Sequence, residues 1–129
     1  MPTSVLDASA LLALLLDEHG STVVRPLLAD AAMSTVNLAE VVGHFTRHGA
    51  TAEQTEQILG PLPIEYFSLD FGLALDLGLM LPATRPAGLS LGDRACLALA
   101  RRLGLPAVTA DRRWMEVADA AGVEITLIR

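Results

Sequence analysis

Short apolar runs alternate with longer amphipathic stretches along the whole chain, a pattern typical of strands joined by helices. The runs predict five strands, at Ser4–Leu6, Met33–Val36, Ile64–Phe67, Ala107–Thr109 and Glu124–Ile128. The stretches between them predict seven helices, at Ser9–Leu16, Thr22–Ala31, Leu38–His48, Thr51–Leu59, Phe71–Met80, Ser90–Leu103 and Arg112–Ala121. Pro82–Gly88, which contains two prolines, is predicted to be a loop. Strands joined by helical crossovers are usually parallel, so we expect an α/β fold with a central, mostly parallel five-stranded sheet flanked by helices.

Length and composition favour one packed domain over residues 1–129. The chain is 52% hydrophobic and 19% charged, which is typical of a chain with a buried core. Its longest apolar run, Ala10–Leu16, is far shorter than the roughly 20 residues that span a bilayer, and the N-terminus lacks the basic start of a secretory signal. The single cysteine, Cys96, cannot form an internal disulfide. These features predict a cytoplasmic protein that does not enter a membrane.

The charged residues narrow the chemistry. All nine basic residues are arginines, and the absence of lysine excludes Schiff-base enzymes, P-loop proteins and response-regulator receiver domains. The net charge is −6, and it is unevenly distributed: residues 1–84 hold two arginines and ten acids, whereas residues 85–129 hold seven arginines and five acids. An acidic protein binds nucleic acid poorly unless cations offset its carboxylates.

Four acids lie where parallel sheets bind ligands, at the carboxyl ends of strands and in the first turns of helices. Asp7 follows the first strand, Asp111 follows the fourth, Glu40 lies near the start of the helix after the second strand, and Asp93 opens the Ser90 helix. Each acid alone has a structural explanation, since aspartate is a favoured N-cap and acids stabilise first turns. Four mutually repelling carboxylates at one edge are most easily explained by a hard divalent cation such as Mg²⁺ or Mn²⁺.

The sequence does not predict a zinc site. The three histidines and Cys96 lack the spacing of zinc ligands. His44 and His48 lie four residues apart on one predicted helix, and we interpret them as surface or interface residues.

The segments that carry the four acids resemble, in this order, the motifs of PIN-domain proteins, and above all those of the VapC-like toxins of bacterial toxin–antitoxin pairs. The segments are VLDASA at 5–10, STVNLAE at 34–40, LSLGDRACLALA at 89–100 and VTADRRW at 108–114. The resemblance extends from Ser4 to about Ile128. It implies a PIN-like three-layer fold in a single nuclease domain.

Carried over residue by residue, the resemblance implies a set of site residues. Four acids match the family's catalytic, metal-binding quartet: Asp7, Glu40, Asp93 and Asp111. Three polar residues match positions that orient those ligands: Ser9, Asn37 and Thr109. Gly92 stands where the family more often has a residue such as alanine.

The implied function is a metal-dependent endoribonuclease that hydrolyses RNA phosphodiester bonds with Mg²⁺ (or Mn²⁺). A cognate VapB-like antitoxin would inhibit it, and a homodimer is expected. Three arginines flank ligand positions and are expected to contact RNA: Arg94, Arg112 and Arg113. The only tryptophan, Trp114, is interpreted as a core residue.

Two other functions remain open at this point. The same residues would serve a catalytically silent PIN-like module that binds RNA or a protein partner. A metal-dependent phosphatase of the haloacid-dehalogenase type would use Asp7 as nucleophile, but that family also needs an aspartate where Ser9 stands, and a lysine.

Overall fold

Five parallel strands form the centre of the protein. The computed structural model describes residues 1–129, and its strands are β1 (Ser4–Leu6), β2 (Ala31–Ser34), β3 (Ile64–Phe67), β4 (Ala107–Thr109) and β5 (Ile125–Leu127). Their order in the sheet is β3-β2-β1-β4-β5, and every neighbouring pair is parallel. The predicted α/β fold with a central five-stranded sheet is confirmed.

Helices cover both faces of this sheet. The α-helices are α1 (Ala8–Leu15), α2 (Ser21–Val24), α3 (Thr35–Arg47), α4 (Ala52–Leu59), α5 (Phe71–Leu79), α6 (Leu81–Thr84), α7 (Leu91–Leu103) and α8 (Ala118–Ala121). Three 3₁₀ segments complete the chain, at Arg25–Asp30, Arg85–Ala87 and Arg112–Glu116. None of the helices combines the length and the apolar character that a membrane crossing requires.

The hydrophobic core has two parts, one on each face of the sheet, because successive strand residues point to opposite faces. Val5 packs in the cluster formed with α5, α7 and α8, whereas its neighbour Leu6 packs in the cluster formed with α1, α3 and α4. Ala107 and Val108 on β4 alternate in the same way. The three central strands, β1, β2 and β4, are buried on both faces, which explains why they appear in the sequence as mainly apolar runs.

The strand order reverses at the centre of the sheet. The chain begins at β1, moves outward through β2 and β3, and then returns to place β4 on the other side of β1. The neighbouring ends of β1 and β4 therefore diverge into helices on opposite sides, which is the place where open parallel sheets bind ligands.

Capping residues and glycines in the sequence mark several helix ends correctly. Thr51 caps α4 and Ser90 caps α7, each in a capping box with the residue three positions later. Gly104, in the left-handed region at φ 66°, ends α7. The predicted strands at Ser4–Leu6, Ile64–Phe67 and Ala107–Thr109 have the bounds that the structure gives them.

Three predictions of secondary structure were wrong in part. The helix predicted over Thr22–Ala31 ends as an α-helix at Val24, because Pro26 cannot donate a backbone hydrogen bond, and a 3₁₀ segment follows. The Pro82–Gly88 segment is not a loop but contains α6 and a 3₁₀ turn, because proline suits a first helical turn. The helix predicted over Arg112–Ala121 is broken at Val117, where the backbone leaves helical geometry between a 3₁₀ segment and α8.

The second strand was also misplaced by two residues. It runs from Ala31 to Ser34 and pairs with β1 and β3, although alanine has little intrinsic preference for strands. Ser34 then accepts a hydrogen bond from the Val36 amide at 3.2 Å and so begins α3 earlier than predicted.

Candidate metal and nucleic-acid cleft

One cleft opens at the carboxyl ends of β1 and β4, beside the reversal of strand order. Its volume is about 490 Å³. Ten residues line it: Asp7, Ala8, Ser9, Leu12, Glu40, Gly43, His44, Arg47, Asp93 and Asp111. The structure thus brings all four acids of the predicted quartet to one cavity, although they come from four distant segments of the chain.

Asp7 forms the floor of the cleft and is held by three hydrogen bonds. Its Oδ1 accepts from the Ser9 hydroxyl at 2.7 Å and from the Ala10 amide at 2.9 Å, and its Oδ2 accepts from the Thr109 hydroxyl at 2.7 Å. Only 5% of Asp7 is exposed. Burial raises the pKa of Asp7 from 3.8 to about 6, although the three hydrogen bonds favour the charged form and act in the opposite direction.

Ser9 and Thr109 also join the two central strands at this edge. The Ser9 hydroxyl accepts from the Ala110 amide at 3.0 Å and lies 3.4 Å from the Thr109 hydroxyl. The Thr109 hydroxyl in turn accepts from the Asp111 amide at 3.1 Å. Both hydroxyls therefore make hydrogen bonds to the Asp7 carboxylate and to the backbone that leads to Asp111.

Glu40 lies on α3 and is oriented by Asn37, one turn earlier on the same helix. The buried Asn37 amide donates to Glu40 Oε1 at 2.8 Å and to the Gly92 carbonyl at 3.0 Å, which ties α3 to the start of α7. Gly92 has no side chain where the Glu40 carboxylate rests: an added Cβ would lie 2.6 Å from Glu40 Cδ. The glycine that departs from the family pattern therefore accommodates a carboxylate of the cleft.

Asp93 and Asp111 combine a capping role with a place in the cleft. Asp93 accepts from the Ser90 amide at 2.8 Å in the capping box of α7. Asp111 accepts from the Arg113 amide at 3.0 Å and forms an ion pair with the Arg113 guanidinium at 2.6 Å. The Arg113 guanidinium holds the pKa of Asp111 below its usual value. Asp93 and Asp111 therefore stabilise their own helix starts and also line the cleft.

None of the three predicted RNA-binding arginines lines the cleft. Arg94 turns away from it and donates to the Leu77 carbonyl at 2.9 Å, between α7 and α5. Arg113 is engaged by Asp111 and by the carbonyls of Ala87 and Gly88. Arg112 is exposed outside the lining of the cleft.

Two buried side chains beneath the site take no part in binding. Trp114 is fully buried and so cannot stack on a base, in agreement with its interpretation as a core residue. Cys96 is also fully buried, and burial, reinforced by the negative charges of Asp7, Asp93 and Glu40, raises the pKa of its thiol well above the usual value. A thiol that resists ionisation is a poor nucleophile.

Sequence analysis missed three cleft residues on α3: Gly43, His44 and Arg47. The signal was present, because positions 40, 43, 44 and 47 share one helical face. His48, in contrast, is exposed and does not line the cleft, as expected for a surface residue.

The donor set of the cleft fits a hard divalent cation. All four acids offer carboxylate oxygens, with no cysteine, and these are the ligands that Mg²⁺ and Mn²⁺ prefer. In their present positions no three acidic, histidine or cysteine side chains are grouped closely enough to hold one ion. Glu40, Asp93 and Asp111 are at least partly exposed, whereas Asp7 is buried.

Comparison with known proteins agrees with this geometry. Residues 4–120 match the family model of the PIN domain. The chain belongs to the PIN-domain family. No curated protein matches the sequence.

Solved structures show the same fold at low sequence identity. The DNA-bound VapBC complex of Salmonella typhimurium is 18% identical, with a TM-score of 0.79 and 100% of both chains covered. VapBC-5 of Mycobacterium tuberculosis is 23% identical, with a TM-score of 0.66, and the match covers 98% of this chain and 99% of that one. The toxin VapC20 of Mycobacterium tuberculosis, which cleaves the sarcin–ricin loop, is 19% identical, with a TM-score of 0.72 and coverage of 94% and 96%.

Proposed function

We propose that this protein is a VapC-like endoribonuclease that hydrolyses RNA phosphodiester bonds with Mg²⁺ or Mn²⁺ in the acidic cleft. One observation carries the proposal: four carboxylates from four segments line a single cavity at the reversal of strand order, and the innermost, Asp7, is buried. Capping explains why Asp7, Asp93 and Asp111 lie at this edge, but Glu40 caps no helix and still lines the same cavity. A buried carboxylate raises the energy of the folded protein unless a cation compensates it.

In this proposal Asp7, Glu40 and Asp93 hold the cation, and Asp111 completes the site. A bound divalent cation supplies activation of water and compensation of the negative charge that develops on a phosphoryl group. The protein supplies orientation. Ser9 and Thr109 hold the two oxygens of Asp7 through 2.7 Å hydrogen bonds, and Asn37 holds Glu40, so the ligands are positioned by a second set of buried or half-buried groups.

The proposal includes partners. Solved structures with this fold include toxin–antitoxin complexes from Salmonella typhimurium and Klebsiella pneumoniae, and we infer that a VapB-like antitoxin inhibits this chain. We infer a cytoplasmic location as well, because the proposed RNA substrates are found there. We further infer a homodimer, since α5 exposes an apolar stripe of Phe71, Leu75 and Leu79.

The experiment is RNA cleavage by the antitoxin-free protein, with transfer, ribosomal and messenger RNA as substrates and Mn²⁺, Mg²⁺ or EDTA in the buffer. We expect discrete fragments that require the metal and disappear in Asp7→Asn. A melting curve with and without Mn²⁺, recorded on the same samples, reports metal binding separately, because a ligand that binds the folded state raises its Tm.

A binding module without catalysis is the second candidate. Two observations favour it. The Asp111 carboxylate is already paired with the Arg113 guanidinium, and no three acids are grouped closely enough for one ion. RNA binding without fragments on any substrate, with the Mn²⁺ response intact, would support this candidate. The absence of both RNA cleavage and a Mn²⁺ response would contradict the proposed ribonuclease. The four acids would then be only helix caps and surface charges.

A further inference from the structure

Helix α3 contributes more to the cleft than the proposed metal ligand Glu40. Gly43, His44 and Arg47 line the same cavity on the same face of the helix. With a rise of about 1.5 Å per residue, Arg47 lies roughly 10 Å along the axis from Glu40. The face therefore extends from the acidic end of the cleft to a basic end more than one helical turn away.

Arg47 is the only arginine that lines the cleft. The Arg47 side chain is exposed and forms no ion pair. Its hydrogen bond with His44 is long, at 3.5 Å between Arg47 Nη2 and His44 Nδ1. The His44 ring lies near the ring of His48, whose centroid is 4.4 Å away. A basic residue in the last turn of a helix also suits the helix dipole, but the dipole does not explain why this guanidinium lines the same cleft as four carboxylates and pairs with none of them.

Gly43 keeps the surface between Glu40 and Arg47 open. It lies inside α3, where glycine weakens a helix, and a Cβ at this position would meet no atom within 4 Å. Nothing in the protein therefore requires glycine at position 43. The effect of the missing side chain is to leave the space above Gly43 open.

We propose that this face of α3 is the track for the RNA strand beside the cleaved phosphodiester. Arg47 binds the phosphate of a neighbouring nucleotide through its planar guanidinium, and Gly43 leaves the room in which the strand passes between Arg47 and the acidic end. The inference rests on the proposed ribonuclease function and assigns part of its substrate site. It also explains how a cleft with four carboxylates attracts a polyanion, since Arg47 supplies positive charge where the metal does not.

The test measures binding of a fluorescent, single-stranded, mixed-sequence RNA in Ca²⁺ as a function of salt, together with initial cleavage rates in Mn²⁺. Arg47→Ala is compared with Arg25→Ala, which removes an exposed arginine outside the cleft. We expect Arg47→Ala to weaken RNA binding about tenfold and to reduce the slope of log affinity against log salt by about 0.7, the value for one lost phosphate contact on a single strand. Arg25→Ala should change neither quantity.

Gly43→Ala tests the open space. The substitution should raise the Tm, because alanine favours the helix and the added methyl meets nothing. It should nevertheless weaken RNA binding about fivefold or more while leaving the Mn²⁺-dependent rise in Tm unchanged. A more stable protein with impaired RNA binding cannot be explained by damage to the fold.

Three results decide the matter. If Arg47→Ala keeps the parent's salt slope while the parent binds and cleaves RNA, the track is wrong and the ribonuclease proposal stands. If Gly43→Ala binds RNA as the parent does, the space above Gly43 is not used by the strand, and the inference is overturned in that part. If the parent itself neither binds nor cleaves RNA, both proposals fail together.

Discussion

Asp7 is the only acid of the cleft that is buried, and its environment is a compromise between two opposing effects. Three hydrogen bonds from Ser9, Ala10 and Thr109 favour the carboxylate, whereas burial favours the neutral acid. Burial is the larger effect, and the pKa rises to about 6. Without a cation, the protein therefore loses stability when this group ionises.

The first prediction concerns the pH dependence of stability in EDTA. Because the pKa of Asp7 in the folded state lies above its value of 3.8 in the unfolded chain, the folded state binds the proton more tightly. The stability that this gives is complete below about pH 4 and is lost as pH rises through about 6. We expect the difference in unfolding free energy between Asp7→Asn and the parent to grow by about 1 kcal/mol in favour of the variant from pH 5 to pH 7.

Urea unfolding at the two pH values measures this difference. Asparagine keeps the shape and can still accept from the Ala10 amide, but its Nδ2 cannot accept from the Thr109 hydroxyl. That loss is the same at both pH values, so it does not affect the change with pH. A difference that stays constant between pH 5 and pH 7 would contradict the raised pKa of Asp7.

The second prediction concerns Gly92, whose missing side chain makes room for the Glu40 carboxylate. Gly92→Ala should leave the protein folded, since only the end of a flexible side chain must move, and alanine is the better helix residue. The displaced Glu40 should lose its hydrogen bond from Asn37, and RNA cleavage should fall about tenfold or more. Melting curves and initial rates on the same preparation measure both effects. Unchanged activity would show that Glu40 does not depend on this approach.

At the scale of elements, the helix starts satisfy backbone amides, and one of them also positions a residue of the cleft. The capping boxes of α4 and α7 satisfy the free amides of their first turns in the same way. They differ in position, because the box of α7 includes the cleft residue Asp93, whereas Gln54 in the box of α4 lies outside the cleft. The chain thus contains a matched pair of caps, of which one serves the site.

The third prediction uses this pair. Ser90→Ala and Thr51→Ala should each lower the unfolding free energy by about 1 kcal/mol, the usual effect of removing a hydroxyl cap. Only Ser90→Ala should also reduce the affinity for Mn²⁺ and the rate of RNA cleavage, because it frees the first turn that holds Asp93. Titration of the Tm with Mn²⁺ separates the two variants. Equal effects on Mn²⁺ affinity would mean that the cap does not position Asp93.

At the scale of the whole molecule, an exposed apolar surface lies outside the cleft, on α5. Phe71, Leu75 and Leu79 follow one another at helical spacing on α5 and are 80%, 51% and 76% exposed. A contiguous apolar stripe of this kind is typical of an interaction surface rather than of scattered surface residues. It is the surface on which we expect the proposed homodimer to form.

The fourth prediction follows from that stripe. Leu79→Glu should shift the protein from dimer to monomer in sedimentation equilibrium, because a buried, unpaired carboxylate opposes association. Met115→Glu, at another exposed apolar residue, should leave the mass unchanged. The Tm at low protein concentration, where the chains are separate, should be the same for both variants. A dimeric Leu79→Glu protein would exclude α5 from the interface.

Much of the fold was encoded locally and could be predicted from the sequence. Strands β1, β3 and β4 are short, mainly apolar runs, of which β3 and β4 directly follow a proline, and the caps at Thr51 and Ser90 act within one helical turn. Three acids of the cleft were recognisable for the same reason, since Asp7 and Asp111 follow strands and Asp93 lies in a first turn. Glu40 lies in the second turn of α3, because that helix begins earlier than predicted. Interactions between near neighbours in sequence leave a periodic or capping signal that can be interpreted without the fold.

Only the tertiary structure decided which of these elements meet. The sequence determined that the protein is an α/β chain with acids at its strand ends; the tertiary structure decided that β1 and β4 are neighbours, through contacts such as Asp7 with Thr109. It also turned Arg94 away from the cleft toward Leu77 and turned Arg47 into the lining. The physical reason is that these contacts join residues far apart in the chain, and no local propensity or spacing specifies which faces will pack together.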